Sequence, residues 1–288
     1  MKILKKLLTA ILVIALILVG IGVGGYFYVK STYDIDLIQT INQLKTLNEP
    51  VSESKLCPHA FTDDDMASTM TEVNGSVPNF VTYSEQDGYE VNFETTLPVM
   101  QRKITLTDKQ VGALAQTVFS QESNGKIDFG GKSVDMVVKQ MQFTHLSDNS
   151  VLFNTVISID LTPFKADMPN KFPFTYLKQF VPSKLYVSST VQLEKGATAF
   201  SYAITHDALK VNNLSKSQTE SLFRTLDIIL KVGNAESWNV NIGKTIADGL
   251  IGNSESQGHG FAYTLHLLGA TDYSFTFDAE NSYFNVLK

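Results

Sequence analysis

The chain has one cysteine and five histidines among its 288 residues. The residues able to do metal or nucleophile chemistry are therefore few. Cys57 and His59 are two positions apart and share a face if the segment is extended, and Asp63, Asp64 and Asp65 follow. A structural zinc site takes four spaced ligands, and a calcium loop alternates oxygen ligands around a glycine; this set does neither. It reads as a solvated turn or an N-cap cluster, and no metal is expected. A single cysteine excludes an intrachain disulfide, so packing must supply the stability.

Two Gly-Lys-[Ser/Thr] triplets, Gly131-Lys132-Ser133 and Gly243-Lys244-Thr245, suggest phosphate binding. A phosphate loop also needs a glycine five positions earlier so that backbone amides can surround the phosphate. Lys126 and Trp238 stand there instead. Ser183-Lys184 and the Gly258-His259-Gly260 turn carry reactive residue types without partners at a defined spacing, while His145, His206 and His266 sit singly near expected strands. No nucleophile elbow, Cys-His signature or zinc-protease helix is present. The expectation is a protein with no catalytic residue and no cofactor, hence not an enzyme.

The elements that would position a site begin with an anchor. Lys2, Lys5 and Lys6 precede an apolar run from Leu7 to Tyr28, closed by Lys30. Its 22 residues can span a hydrocarbon layer of roughly 30 Å, and lysines at the amino end hold that end in the cytoplasm. The run ends in Gly24-Gly25-Tyr26-Phe27-Tyr28, which suits an aromatic belt better than a small-residue cleavage site. The expected organisation is a cytoplasmic tip and transmembrane anchor over 1–30, a juxtamembrane helix or stalk over 31–50 and an extracytoplasmic domain over 51–288. Four of the 23 Lys and Arg lie in 1–30, leaving 19 against 29 acids beyond it, a net charge of −10. Such an outward part repels phosphate backbones, so nucleic acid is not an expected partner.

After the anchor, Ile35, Leu37, Ile38, Ile41, Leu44 and Leu47 recur at helical spacing until Glu49-Pro50. That helix packs on its own domain or pairs with a second copy. Residues 52–84 read as loops and short elements. Period-two alternation then predicts strands through Tyr89 to Phe93, Phe153 to Ile159, Leu185 to Leu193, Phe261 to Leu267 and Tyr273 to Phe277, the last two forming a hairpin around Gly269 to Asp272. Two capped helices interrupt them: Thr107 leads to Val111, Leu114, Thr117 and Val118, and Ser215 to Leu222, Thr225 and Leu226. The starts lie 108 positions apart and the glycine-lysine triplets 112 apart, so an internal duplication competes with the generic likeness of helix starts. The expected fold is α+β, a long curved antiparallel sheet packed on two or more helices.

Asp160-Leu161-Thr162-Pro163, Phe172-Pro173-Phe174-Thr175-Tyr176-Leu177, Phe180-Val181-Pro182, Leu185-Tyr186-Val187 and Asn213-Leu214-Ser215 resemble the layout of small membrane-anchored Gram-positive proteins of the YpmS type, a group linked to tubular lipid-binding (TULIP) domains. The capped helix after Ile104-Thr105-Leu106-Thr107 also resembles one that such domains wrap inside a bent sheet. The resemblance covers residues 104–230 and implies binding of a lipid or other apolar molecule between sheet and helix. A groove of that kind stabilises acyl chains by about 0.8 kcal/mol per buried CH₂. Val111, Leu114, Val118, Leu222 and Leu226 are the candidate lining residues, each equally a core residue. The alternative is a cell-envelope scaffold or protein-interaction module with a filled core.

Overall fold

A computed structural model describes residues 36–129, 132–167, 170, 180–230, 233–252 and 260–288. The expected anchor, residues 7–28, and the Phe172 to Leu177 part of the resemblance lie outside these residues. No described helix is long and apolar enough to cross a membrane.

The described chain is α+β. In order it forms α1 (Leu37–Leu47), α2 (Glu53–Leu56), α3 (Asp63–Asn74), β1 (Val81–Ser84), β2 (Gly88–Val91), β3 (Ile104–Thr107), α4 (Asp108–Ser123), β4 (Lys126–Phe129), β5 (Lys132–Ser147) and β6 (Ser150–Asp160). There follow α5 (Thr162–Asp167), β7 (Lys184–Lys195), β8 (Tyr202–Val211), α6 (Lys216–Leu230), α7 (Ala235–Leu250), α8 (Phe261–Leu267), β9 (Asp272–Phe277) and β10 (Ser282–Leu287). All strand pairs are antiparallel, in sheets ordered β1-β2, β3-β10-β9 and β4-β5-β6-β7-β8. Register shifts at Val138/Gln140, His145/Ser147 and Thr190/Val191 interrupt the large sheet, and such bulges bend a strand and increase its twist.

Local chemistry sets the helix starts. Thr107 Oγ accepts from Gln110 N at 3.2 Å while Gln110 Oε1 accepts from Thr107 N at 2.8 Å, and Ser215 with Gln218 repeats the exchange at 3.2 and 2.9 Å. Each exchange satisfies amides that a first turn otherwise leaves free. The core lies on one face of the large sheet. Phe143 stacks on Phe153 at 5.2 Å and meets Phe275 at 4.9 Å and Phe284 at 6.5 Å, which ties the large sheet to β9 and β10. On the other face Cys57, with Val51 and Leu56, covers Val156 and Tyr186. This strap is held by Glu53, which accepts from Tyr186 Oη at 2.9 Å and pairs with Lys139 at 2.8 Å.

Four expectations are corrected. Residues 261–267 form helix α8, not a strand: Phe261, Ala262, Thr264, Leu265 and Leu268 are buried and Leu267 is exposed, a helical spacing that the alternation of Phe261, Tyr263 and Leu265 masked. The terminal hairpin is therefore β9 with β10. The stretch 52–84 contains a 12-residue helix, α3, whose first turn holds Asp63, Asp64 and Asp65. The triplet echo has no structural counterpart, because Lys132-Ser133 opens a strand while Gly243-Lys244-Thr245 lies inside α7. After α4 the chain makes a β-hairpin, whereas after α6 it makes another helix.

Candidate functional site

Cys57 and the described histidines are tied into the framework one by one, while His259 lies outside the described residues. Cys57 caps the end of α2 and is buried, and burial pushes its thiol up to about 11. His59 does not share a strand face with it. It lies in the loop after α2, its Nδ1 3.2 Å from Asp108 Oδ2, and its backbone amide donates to Gln140 Oε1 at 2.8 Å. Asp108 is buried at the start of α4. That burial raises its carboxyl above the ordinary carboxylate range, with the neighbouring His59 pulling the other way.

His206 bonds through Nδ1 to Asn239 Nδ2 at 2.9 Å; Asn239, fully buried, also donates to Thr190 O and accepts from Ser189 Oγ. His145 packs edge-on against Phe277, and His266, on helix α8 rather than near a strand, pairs its Nδ1 with Ala270 O. Among the described residues no group of three His, Cys, Asp or Glu stands close enough to hold a metal ion. Gly243 serves packing: a Cβ there would lie 2.7 Å from Val191, so only glycine lets α7 settle on β7.

The apolar candidates divide between two places. Val111 and Leu114 are buried, and Val118 is half-buried, on α4, which packs on β5, β2 and α3. Leu222 is buried on α6, which packs on β8 and α1. Helix α7 packs against both α4 and α6. Leu226 belongs to α6, and its side chain lies outside the described residues. Among the described residues, Val111 and Leu114 pack within the main core.

Open depressions on the surface of the described residues include two that bear on a site. One, of about 500 Å³, is lined by Thr82, Glu90, Asn92, Phe93, Glu94 and their neighbours beside β2. The second, of about 360 Å³, lies between α1 and the start of α6 and is lined by Ile38, Gln39, Asn42, Gln43, Thr46 and Gln218, with the N-cap Asp36 at its end. The helix that forms its floor packs on its own domain. Leu44 and Leu47 are fully buried, Gln39 Nε2 donates to Ser221 Oγ at 3.3 Å, and Asn212 Nδ2 donates to Leu47 O at 2.6 Å. Gln43 is 2% exposed, and neither its Oε1 nor its Nε2 has a hydrogen-bond partner among the described residues. Leaving a buried polar group unbonded costs about 1–3 kcal/mol. Sequence reasoning missed this residue, although the signal was there: Thr40 and Gln43 interrupt the buried stripe completed by Leu44 and Leu47.

No family model matches the sequence, so none supports the resemblance to YpmS-type proteins, and no characterised protein matches it. Among solved structures, the crystal structure of lipopolysaccharide binding protein aligns over 64% of this chain and 40% of its own length, at 12% identity and a TM-score of 0.18. The chain thus spans less than half of that protein, and a score this low carries no argument about shared fold or ligand.

Proposed function

We propose that this chain is a membrane-anchored, extracytoplasmic lipid-binding protein without a catalytic step, and that it meets its ligand at the cleft between α1 and α6. The apolar run from Leu7 to Tyr28, with lysines before it, supports the anchor and the outward orientation. The observation that carries the site is Gln43, a buried carboxamide without a partner on the floor of an open cleft. The cleft begins at Asp36, six residues after Lys30. At no more than about 3.6 Å per residue this keeps it within roughly 22 Å of Lys30. A site so close to the bilayer and lined by amides suits the polar part of a lipid, whose acyl chains stay in the membrane. The closed packing around Val111 and Leu114 argues against swallowing an acyl chain there.

A second reading, an envelope scaffold or protein-interaction module, is favoured by a different observation. Val99 and Leu267 are 60% and 52% exposed on neighbouring segments joined by the Met100 N to Leu268 O bond. Native mass spectrometry of the full chain, followed by lipid extraction, separates the two readings. A lipid retained in stoichiometric amount is the expected result. A folded chain that retains none and takes up none of the added lipids overturns the lipid reading and directs crosslinking at the Val99–Leu267 face.

A further inference from the structure

We infer that the cleft between α1 and α6 is a carbohydrate site, selective for a neutral, hydroxyl-rich group such as the sugar of a glycolipid. This rests on the reading of that cleft as the ligand site and goes further by naming the chemistry. The first argument is the floor. Gln43 presents one acceptor and two donor hydrogens with no partner among the described residues. Two adjacent hydroxyls of a sugar match that need, one donating to Oε1 and the other accepting from Nε2. A phosphodiester alone has no matching donor for Oε1, and an ammonium alone has no acceptor for Nε2.

The second argument is the rim. Gln39, Asn42, Thr46 and Gln218 are all uncharged and polar, and no Lys or Arg is among the described lining residues. The one carboxylate there, Asp36, is engaged as the helix cap, accepting from the amides of Ile38 and Gln39 at 3.0 Å each. Gln218 accepts from Ser215 N through its Oε1, which leaves its NH₂ group as a donor to the cleft. Gln39 donates through Nε2 to Ser221, which leaves its carbonyl as an acceptor. Such a rim offers alternating donors and acceptors with no net attraction for an anion. Ile38, 59% exposed, supplies an apolar edge for the C–H face of a pyranose ring. The Gln43 carboxamide is covered in the unliganded chain, so a sugar reaches it only through movement of side chains around the cleft.

The test uses the full chain in phosphatidylcholine nanodiscs, with the side-chain amide resonance of Gln43 as the readout, assigned by its disappearance in Gln43→Met. One arm adds soluble maltose; the other adds galactosyl-diacylglycerol to the nanodisc. A shift of the Gln43 resonance in either arm is expected. A shift with maltose identifies a free glycan as a sufficient ligand, and a shift confined to the glycolipid arm identifies a headgroup. Gln43→Met, which places an apolar side chain of similar length in a buried position, is expected to fold and to bind sugar about tenfold or more weakly. If that variant does not fold, Gln39→Ala and Asn42→Ala, both at exposed positions, replace it. Unchanged sugar affinity in the folded variants overturns the inference, as does an unmoved Gln43 resonance in both arms. Lipid retention by native mass spectrometry is scored separately, so a chain that holds lipid but ignores sugar defeats this inference and leaves the lipid reading standing.

Discussion

At the scale of single residues, environment decides what each polar group does. Burial alone would raise the Glu72 carboxyl, yet two bonds from Arg102 at 2.8 and 2.9 Å and one from Thr105 N at 3.1 Å outweigh it and hold the group below its ordinary 4.5. A pKa lower in the folded than in the unfolded chain stabilises above the unfolded value, and that stabilisation is lost as pH falls through the folded value. Thermal unfolding followed from about pH 7 to about pH 3 should therefore show an acid-side loss that is shallower in Glu72→Gln. The apolar candidates give a second prediction. Leu114 and Leu222 are 2% and 0% exposed, so Leu114→Ala and Leu222→Ala should each cost about 2–5 kcal/mol in chemical denaturation. A pair of near-neutral results would mean that these side chains line open space.

Elements show how small local choices set packing. Gln116 on α4 accepts from Val138 N at 2.6 Å, so a helix side chain satisfies a β5 amide beyond the last residue that β4 pairs, Asp135. Gln121 pairs with both backbone groups of Val91 in the manner of a neighbouring strand. In α7, two glycines have opposite roles. A Cβ on Gly243 would strike Val191, while one on Gly249 meets nothing within 4 Å. Gly243→Ala should destabilise by about 1–3 kcal/mol through overpacking. Gly249→Ala should stabilise by up to about 1 kcal/mol through helix propensity. Paired denaturation curves check both signs, and equal signs would contradict the packing of α7 on β7.

Across the whole molecule, the strap around α2 closes the outer face of the large sheet through Cys57, Leu56 and the Glu53–Lys139–Tyr186 group. The Lys139 hydrogen bond, ahead of burial's opposing effect, holds the Glu53 carboxyl below its ordinary value. The Cys57 thiol, moved from 9.0 to about 11, has about a hundredfold smaller thiolate population near neutrality than an ordinary cysteine. Labelling by a thiol reagent should therefore be slow in the native chain, and Glu53→Gln should accelerate it, both by loosening the strap and by removing a charge that raises the thiol. Equal labelling rates in the two proteins would show that the strap opens independently of that ion pair.

Much of the framework could be read from the sequence because it is written in short-range terms. The alternation from Leu185 to Leu193 found β7, and the Thr107–Gln110 and Ser215–Gln218 spacings found the starts of α4 and α6, since caps and pleats are decided by residues within a few positions. The α+β class followed from the same signals. The remainder depended on partners far away in the chain. Phe261 to Leu267 satisfies both strand and helix periodicity over so few residues that only the core it enters selects the helix. β10, which pairs locally with β9 and also with β3 far earlier in the chain, was missed because the hairpin was read one element too early. Which apolar residues line space and which fill it also has no local signature. Val111 and Leu114 became core when the elements closed around them, while Gln43, one polar side chain within a buried stripe, acquired its place on the floor of a cleft only when α1 settled against α6.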